Sequence, residues 1–160
     1  MILFTGGNAL AAFIETLQDW MSELGVLDIP SRSQLYKKLL ECASKRLDTV
    51  LQIRPTLWGE RHEPESGGTI THLHDNNISL GDITASLCKG IIQNLHSMLS
   101  KDILNSFGVQ RIIGTGNALT QNAILQKEAE CIWGLPLIIN DVSDASLGAA
   151  LAVANYCSDF

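Results

Sequence analysis

The last third of the chain alternates short apolar runs with helical patterns, and this alternation limits the possible folds more than any other feature. Val109–Ile113 has the β-branched residues of a strand, and a glycine turn joins it to a helical pattern over residues 118–133. A second strand at Leu137–Asn140 and a small, apolar helix at Ala145–Tyr156 follow. Because strands joined through helices run parallel, the sequence predicts the α/β class.

The first two thirds of the chain are mainly helical in pattern. Residues 55–78 are the exception, since they are polar, contain several turn residues and are predicted to form a long irregular segment. Apolar side chains elsewhere recur at helical spacing behind capping residues. The predicted elements are helices from Asn8 to Met21, from Ser31 to about Arg46 and from about Leu80 to Gly108, and a strand at Thr49–Ile53.

Composition excludes several classes of function. The 160 residues are 46% apolar and 18% charged, which is typical of one packed domain rather than a disordered chain. A net charge of −6 and an aromatic share of 6% are unlike a nucleic-acid-binding surface, so no nucleic-acid partner is expected. Since no apolar run approaches 18 residues, no membrane partner is expected either.

The cysteine spacing and the first residues indicate a cytoplasmic location. Cys42, Cys88, Cys131 and Cys157 are widely spaced and are predicted to be free thiols, as in a reducing compartment. The first residues have no basic segment or cleavage site, so they are unlike a signal peptide. The apolar Met1–Phe4 instead resembles the second half of a buried strand, and we expect the chain to lack part of a larger protein.

The glycine turn after the Val109–Ile113 strand is the most informative local motif. Glycines between a strand and a helix allow close approach to a ligand and leave backbone N–H groups free for phosphate or ribose. A plain tight turn explains the same residues. A dinucleotide-binding fingerprint would use Gly114 and Gly116 with Asp141, but it requires a small residue where this chain has Leu119.

Several motifs, in order along the chain, resemble the FGGY carbohydrate kinases. A Gly-Glu-Arg segment stands at residues 59–61, and residues 5–10 resemble the first glycine turn on that family's nucleotide side. The carboxy-terminal signature is matched by Gly114-Thr115-Gly116-Asn117-Ala118, Ile124-Leu125-Gln126, Gly134-Leu135-Pro136-Leu137 and Asp144-Ala145-Ser146-Leu147-Gly148-Ala149-Ala150. The resemblance covers essentially the whole chain, and the motif spacing is closest to members that phosphorylate a seven-carbon ketose.

The resemblance implies a two-domain enzyme with an actin-like ATPase, ribonuclease-H-like fold. In this family ATP and Mg²⁺ lie between the domains, and a phosphoryl group passes to a sugar, here sedoheptulose, giving sedoheptulose 7-phosphate for the pentose phosphate pathway. Residues 1–160 would be the carboxy-terminal, nucleotide-side domain, with the sugar bound through the absent amino-terminal domain. The implied nucleotide-binding residues are Gly6, Gly7, Gly116, Asn117 and Ala118, with Gln121 or Asn122 at the base.

The resemblance also implies that the catalytic machinery is incomplete. The family's general-base Asp is expected upstream of this chain, and no Asp-x-Gly-Thr phosphate turn is present in the sequence. We therefore assign no catalytic residue and predict that the isolated chain is inactive, since phosphoryl transfer depends on positioning and charge neutralisation. The alternatives are a non-catalytic domain that binds a nucleotide or a partner and, less favoured, a dinucleotide-binding oxidoreductase domain.

Other polar and aromatic residues have structural interpretations. His62, His72 and His74 lie in the irregular segment without a scaffold for tetrahedral metal binding, and are predicted to be surface residues. His96 is predicted to be packed and hydrogen-bonded on the long helix, and Asp144 is predicted to cap the last helix. The predicted core anchors are Trp20, Trp58 and Trp133.

Overall fold

The computed structural model describes residues 6–57, 59, 65 and 67–140 of the chain. These residues form helices and short strands. In chain order they are α1 (Gly6–Glu23), α2 (Arg32–Ala43), β1 (Gln52–Arg54), β2 (Thr69–Thr71), α3 (Leu80–Met98), α4 (Lys101–Ser106), β3 (Ile112–Gly114), α5 (Asn117–Thr120), α6 (Ala123–Trp133) and β4 (Leu137–Ile139).

Helix α3 lies at the centre of the described residues and packs against α2, α6 and β1. Its middle is apolar and small on the buried face, so Ala85, Cys88 and Ile91 are almost wholly excluded from solvent. Leu125 of α6 completes the same cluster. A smaller apolar cluster joins α1 to α2 through Ile14, Leu17, Leu35 and Leu39. Burial of these apolar faces is the main force that holds the helices together.

The two strands around the glycine turn are parallel, as the sequence predicts for an α/β chain. Ile112 pairs with Leu137 and Gly114 pairs with Ile139, and the intervening chain contains α5 and α6. A second pair, β1 with β2, is antiparallel and places Arg54 opposite Thr69. Strand β2 lies inside the segment predicted to be irregular, and β1 begins three residues after the predicted start at Thr49.

Two helices that the sequence pattern predicts as continuous are interrupted by capping residues. The predicted helix from Leu80 to Gly108 ends at Met98, because Leu99 leaves helical geometry and Ser100 caps α4. The predicted helix over residues 118–133 is divided into α5 and α6 at Asn122. Apolar spacing alone does not indicate either break, because the apolar face continues across both.

A close approach of backbone to backbone fixes α3 against β1. Gly90 lies so near the carbonyl oxygen of Ile53 that a Cβ atom at this position would overlap it. Ser86, one turn earlier, donates a hydrogen bond to the carbonyl of Leu51 over 2.8 Å. Glycine at position 90 therefore lets the strand lie directly on the helix.

Two of the tryptophan predictions concern described residues, and of these one is confirmed and one is wrong. Trp133 is 6% exposed and its indole N–H donates to the carbonyl of Leu99 over 2.7 Å, as a core anchor should. Trp20, near the end of α1, is 53% exposed and belongs to neither apolar cluster of the described residues. The predictions for Trp58, Asp144, Met1–Phe4, Asp141 and the Ala145–Tyr156 helix lie outside the described residues.

No helix in the described part of the chain is both long and apolar enough to cross a membrane. Among the described cysteines, Cys42, Cys88 and Cys131 are free thiols, as predicted.

Candidate functional site

The glycine turn between β3 and α5 has a backbone conformation that requires glycine. Gly116 caps α5 with φ 92° and ψ 144°, a region that residues with a Cβ atom rarely adopt. No atom lies within 4 Å of the position that its Cβ would occupy, so the space beside the turn is open. Helix α5 has only four residues, and its contribution to the field at the turn is correspondingly small.

Gly114 serves packing rather than a special backbone conformation. A Cβ at this position would overlap the Cδ2 atom of Leu119 and would lie 3.1 Å from Leu137 Cδ1. The large side chain of Leu119 thus occupies the space that Gly114 leaves above β3. A dinucleotide fingerprint uses the opposite arrangement, in which the helix residue is small.

Asn122 is wholly buried and ends the turn as the N-cap of α6. Its Oδ1 atom accepts hydrogen bonds from the backbone N–H groups of Ile124 and Leu125, at 3.0 and 3.1 Å. Its Nδ2 atom lies 3.5 Å from the Sγ atom of Cys88 on α3. Burial raises the pKa of the Cys88 thiol to about 11, although the contact with Asn122 partly offsets the effect, so the sulfur is a neutral thiol at physiological pH.

A groove of about 780 Å³ opens between α1, α2 and the α5 turn. Its floor is apolar and its rim carries charged, hydroxyl and amide groups, a combination typical of small-molecule sites. The lining residues are Leu10, Ala11 and Ile14 of α1, Arg32, Ser33, Tyr36, Lys37, Leu40 and Glu41 of α2, and Asn117, Ala118 and Gln121 at the turn.

Charged side chains on the rim are partly neutralised by neighbouring residues. Arg32 forms an ion pair with Glu15 of α1 at 2.5 Å, and both side chains are half exposed or more. Glu41 lies 3.4 Å from Lys38, which is on the same helix one turn earlier. Exposed ion pairs of this kind contribute little to stability. The Arg32 and Glu41 side chains can therefore exchange their present partners for others.

Tyr36 forms the deep part of the α2 wall and reaches the core beneath the groove. Its hydroxyl is buried and makes no hydrogen bond of normal geometry with a described residue. Burial raises the pKa of Tyr36, and the nearby Asn122 side chain partly offsets this rise. The Tyr36 side chain of the α2 wall therefore lies close to Asn122, which is buried in the core.

The structure brings together part of the predicted nucleotide-binding set. Asn117, Ala118 and Gln121 line the groove, and Gly116 precedes them on the turn. Gly6 and Gly7 are the first residues of α1, whose next turns supply the apolar floor.

The predicted alternatives Gln121 and Asn122 occupy different environments. Gln121 is exposed and lines the groove, whereas Asn122 is buried in the core below it. A ligand in the groove as it stands would therefore meet the Gln121 side chain.

The sequence interpretation did not identify the residues that α2 contributes. Arg32, Ser33, Tyr36 and Lys37 line one side of the groove. They are spaced four residues apart in two pairs, so they lie on one face of the helix. This polar and aromatic face beside an apolar one was the signal in the sequence that could have indicated a ligand wall.

The described histidines lie where the sequence predicts. His72 and His74 are exposed, whereas His96 is half buried. His96 Nε2 accepts a hydrogen bond from the Lys101 N–H over 3.3 Å, and its ring lies 5.9 Å from that of Trp133. The described residues contain no group of three or more His, Cys, Asp or Glu side chains placed to bind a metal ion.

The chain is similar in sequence to two mammalian sugar kinases. Sedoheptulokinase of Homo sapiens is 41% identical over 148 residues, which are 92% of this chain and 30% of that protein. The Mus musculus sedoheptulokinase is 40% identical over 148 residues, 92% of this chain and 31% of the mouse protein. The chain therefore spans about 30% of the length of these relatives. No protein-family model matches it.

The fold is similar to that of solved sugar kinases. A xylulose kinase from Rhodospirillum rubrum aligns with a TM-score of 0.62 over 83% of this chain and 25% of that enzyme, at 17% identity. A xylulose kinase from Bifidobacterium adolescentis aligns with a TM-score of 0.57 over 80% of this chain and 24% of its own, at 19% identity. At these identities the comparison shows that the chain shares part of the fold of these sugar kinases.

Sequence and fold together define the class. The chain has part of the fold of a sugar kinase, and its resemblance to the FGGY carbohydrate kinases is confirmed. Within that class, the proteins that it resembles in sequence are the sedoheptulokinases.

Proposed function

We propose that this chain is the nucleotide-binding part of an ATP-dependent sugar kinase and that the groove between α1, α2 and the α5 turn holds the adenosine of ATP. The observation that carries the proposal is the position of Asn117, Ala118 and Gln121. Residues singled out by motif resemblance alone line the same groove as the apolar face of α1. The relatives in sequence and in fold are sugar kinases, which supports the same conclusion.

The chemistry of the groove fits a nucleoside. A purine ring is flat and apolar on its faces, and the floor formed by Leu10, Ile14 and Leu40 offers matching apolar surface. Hydrogen-bonding groups stand at the edges of the ring and on the ribose. Gln121 is the exposed amide at the turn, and we assign it to the base in preference to the buried Asn122.

The phosphates are proposed to extend from the adenosine toward the start of α1. The first backbone N–H groups of an α-helix have no partner within the helix, and the helix dipole favours an anion there. Gly6 and Gly7 are the first two residues of α1, which has 18 residues. ATP brings the phosphoryl group that is transferred. Mg²⁺ remains a prediction from the family, and no described residues are assigned to it.

The acceptor is proposed to be a sugar, with sedoheptulose favoured by the sequence similarity. The described residues lack a recognised sugar pocket and a recognised general base, so the acceptor rests on resemblance. Residues 1–160 contain no Asp-x-Gly-Thr turn, and we propose that they bind nucleotide but transfer no phosphate without the rest of a two-domain enzyme. The cytoplasmic location likewise remains a prediction.

Equilibrium binding of MgADP tests the proposal. Gln121→Ala is expected to weaken binding about tenfold, since the loss of one hydrogen bond to a ligand costs about 1.4 kcal/mol. Gln93→Ala is the matched control, because Gln93 is also an exposed amide but lines a different surface. Binding of NAD in place of MgADP would instead favour the dinucleotide alternative.

A transfer assay tests the acceptor. The 160-residue chain and a version that includes any upstream kinase domain would each be incubated with MgATP and either sedoheptulose or xylulose. We expect a sugar phosphate only from the longer protein, and more from sedoheptulose. A product from the 160 residues alone would contradict the predicted inactivity.

A further inference from the structure

Asn122 connects the turn that lines the groove to two helices outside the groove lining, α6 and α3. It is the N-cap of α6, it contacts Cys88 of α3, and it follows Gln121 of the groove directly in sequence. The side chain is 0% exposed, so it makes these contacts inside the core.

The cap determines where α5 stops. The backbone N–H groups of Ile124 and Leu125 would be satisfied by carbonyls one turn earlier if the helix ran on from Asn117. Asn122 Oδ1 accepts both bonds instead, and Asn122 itself has an extended backbone with φ −126° and ψ 93°. The chain therefore changes direction immediately after Gln121.

The contact with Cys88 holds the capping side chain in place. Nδ2 of Asn122 lies 3.5 Å from Sγ of Cys88, which is itself wholly buried at the centre of α3. Because both the Oδ1 and the Nδ2 atoms of Asn122 have partners, the side chain is held in one orientation. The backbone of Gln121 is consequently fixed relative to α3, the most buried helix of the described residues.

We propose that Asn122 is a positioning residue for the nucleotide groove: by capping α6 it ends α5 and directs Gln121 and Asn117 toward the α2 wall. This inference rests on the proposed nucleotide function of the groove. Asn122 is not expected to touch the ligand, and its effect on binding is indirect.

Tyr36 of the α2 wall is raised in pKa by burial, and the nearby Asn122 amide opposes that rise. Tyr36 lines the groove and packs against the cluster that contains Cys88. Asn122 and the α2 wall therefore contact the same buried cluster, through Cys88 and Tyr36 respectively.

Two substitutions at position 122 separate positioning from general stability. Asn122→Ala removes the cap, whereas Asn122→Ser keeps a side-chain oxygen of a preferred capping residue. Ser100→Ala is the matched control, since it also removes an N-cap but lies outside the groove lining. MgADP affinity of each 160-residue variant is measured at a temperature where its circular dichroism shows it fully folded.

The expected result is a Kd for MgADP at least tenfold higher in Asn122→Ala, with most of the affinity restored in Asn122→Ser and an unchanged Kd in Ser100→Ala. The inference is overturned if Asn122→Ala binds within twofold of the unmodified protein, or if serine restores nothing. Absence of MgADP binding in the unmodified protein would overturn the proposed function, and this inference with it. The two failures are thus distinguishable.

Discussion

At the scale of single residues, two adjacent amides show what a sequence can and cannot specify. Motif resemblance restricts the base-contacting residue to Gln121 or Asn122, which have the same chemistry. The structure separates them by environment, because Gln121 is exposed in the groove and Asn122 is a buried helix cap. Burial depends on contacts with α3 that lie more than 30 positions away in sequence, so local pattern could not decide between them.

The conformation of Gly116 gives a prediction at this scale. Gly116→Ala is expected to lower the free energy of unfolding by about 1–3 kcal/mol, because φ 92° with ψ 144° is strained for any residue with a Cβ atom. Denaturant unfolding measures the change. Gly67→Ala is the control, since its Cβ would also meet no atom within 4 Å but its φ is not positive. Equal effects at the two positions would contradict the explanation.

Asp82 gives a prediction about pH. It is 3% exposed and completes a capping box at the start of α3 with Ser79, whose side chain donates to its carboxylate. This hydrogen bond is the largest cause that holds the pKa of Asp82 below its usual 3.8, and Thr49 and Arg46 add to it against the effect of burial. A lowered folded-state pKa stabilises the fold above about pH 4, and the gain is lost as the pH falls through the folded-state value.

Unfolding at several pH values compares Asp82→Asn with the unmodified protein. The difference in unfolding free energy is expected to be largest near pH 7 and to shrink as the pH falls below about 4. Asp75→Asn, at an exposed position, is the matched control. A difference for Asp82→Asn that stays constant over this range would show that the carboxylate contributes no such stability.

At the scale of elements, the parallel pair β3 and β4 was predictable and the hairpin strand β2 was not. Apolar runs bounded by turn residues mark β3 and β4, whereas β2 is the short and fully exposed Thr-Ile-Thr. The cap at Ser31 was predicted, and so was the start of α3 at about Leu80, which the structure shows to be capped by Ser79. Helix ends were missed at Ser100 and Asn122, where the cap interrupts a pattern that continues beyond it.

The close contact between α3 and β1 predicts the sign of a change in stability. In an exposed helix, replacing glycine by alanine stabilises by about 1 kcal/mol. At Gly90 the added Cβ would overlap the Ile53 carbonyl oxygen, so Gly90→Ala is expected to destabilise by about 1–3 kcal/mol. Thermal or denaturant unfolding decides the sign. A stabilised variant would mean that β1 lies further from α3 than described.

At the scale of the whole molecule, the candidate site depends on contacts between segments that are distant in sequence. The α1 floor, the α2 wall and the α5 turn come from three parts of the chain, and only the first and last carried recognisable motifs. The order of motifs along the chain led to the sugar-kinase class, whereas the glycine turn alone left three interpretations open. The polar and aromatic face of α2 is visible in the sequence, but its position opposite the α5 turn is not, because helix pairing is set by tertiary packing.

Mapping MgADP onto the folded protein tests the central claim most directly. With methyl groups labelled for nuclear magnetic resonance, titration with MgADP is expected to shift saturably the methyl signals of Leu10, Ala11, Leu40 and Ala118, which line the groove. The methyl signals of Ile53, which borders a different surface, should not shift. Absence of any shift, or shifts centred on Ile53 with the groove residues unmoved, would contradict the assignment of the groove to a nucleotide.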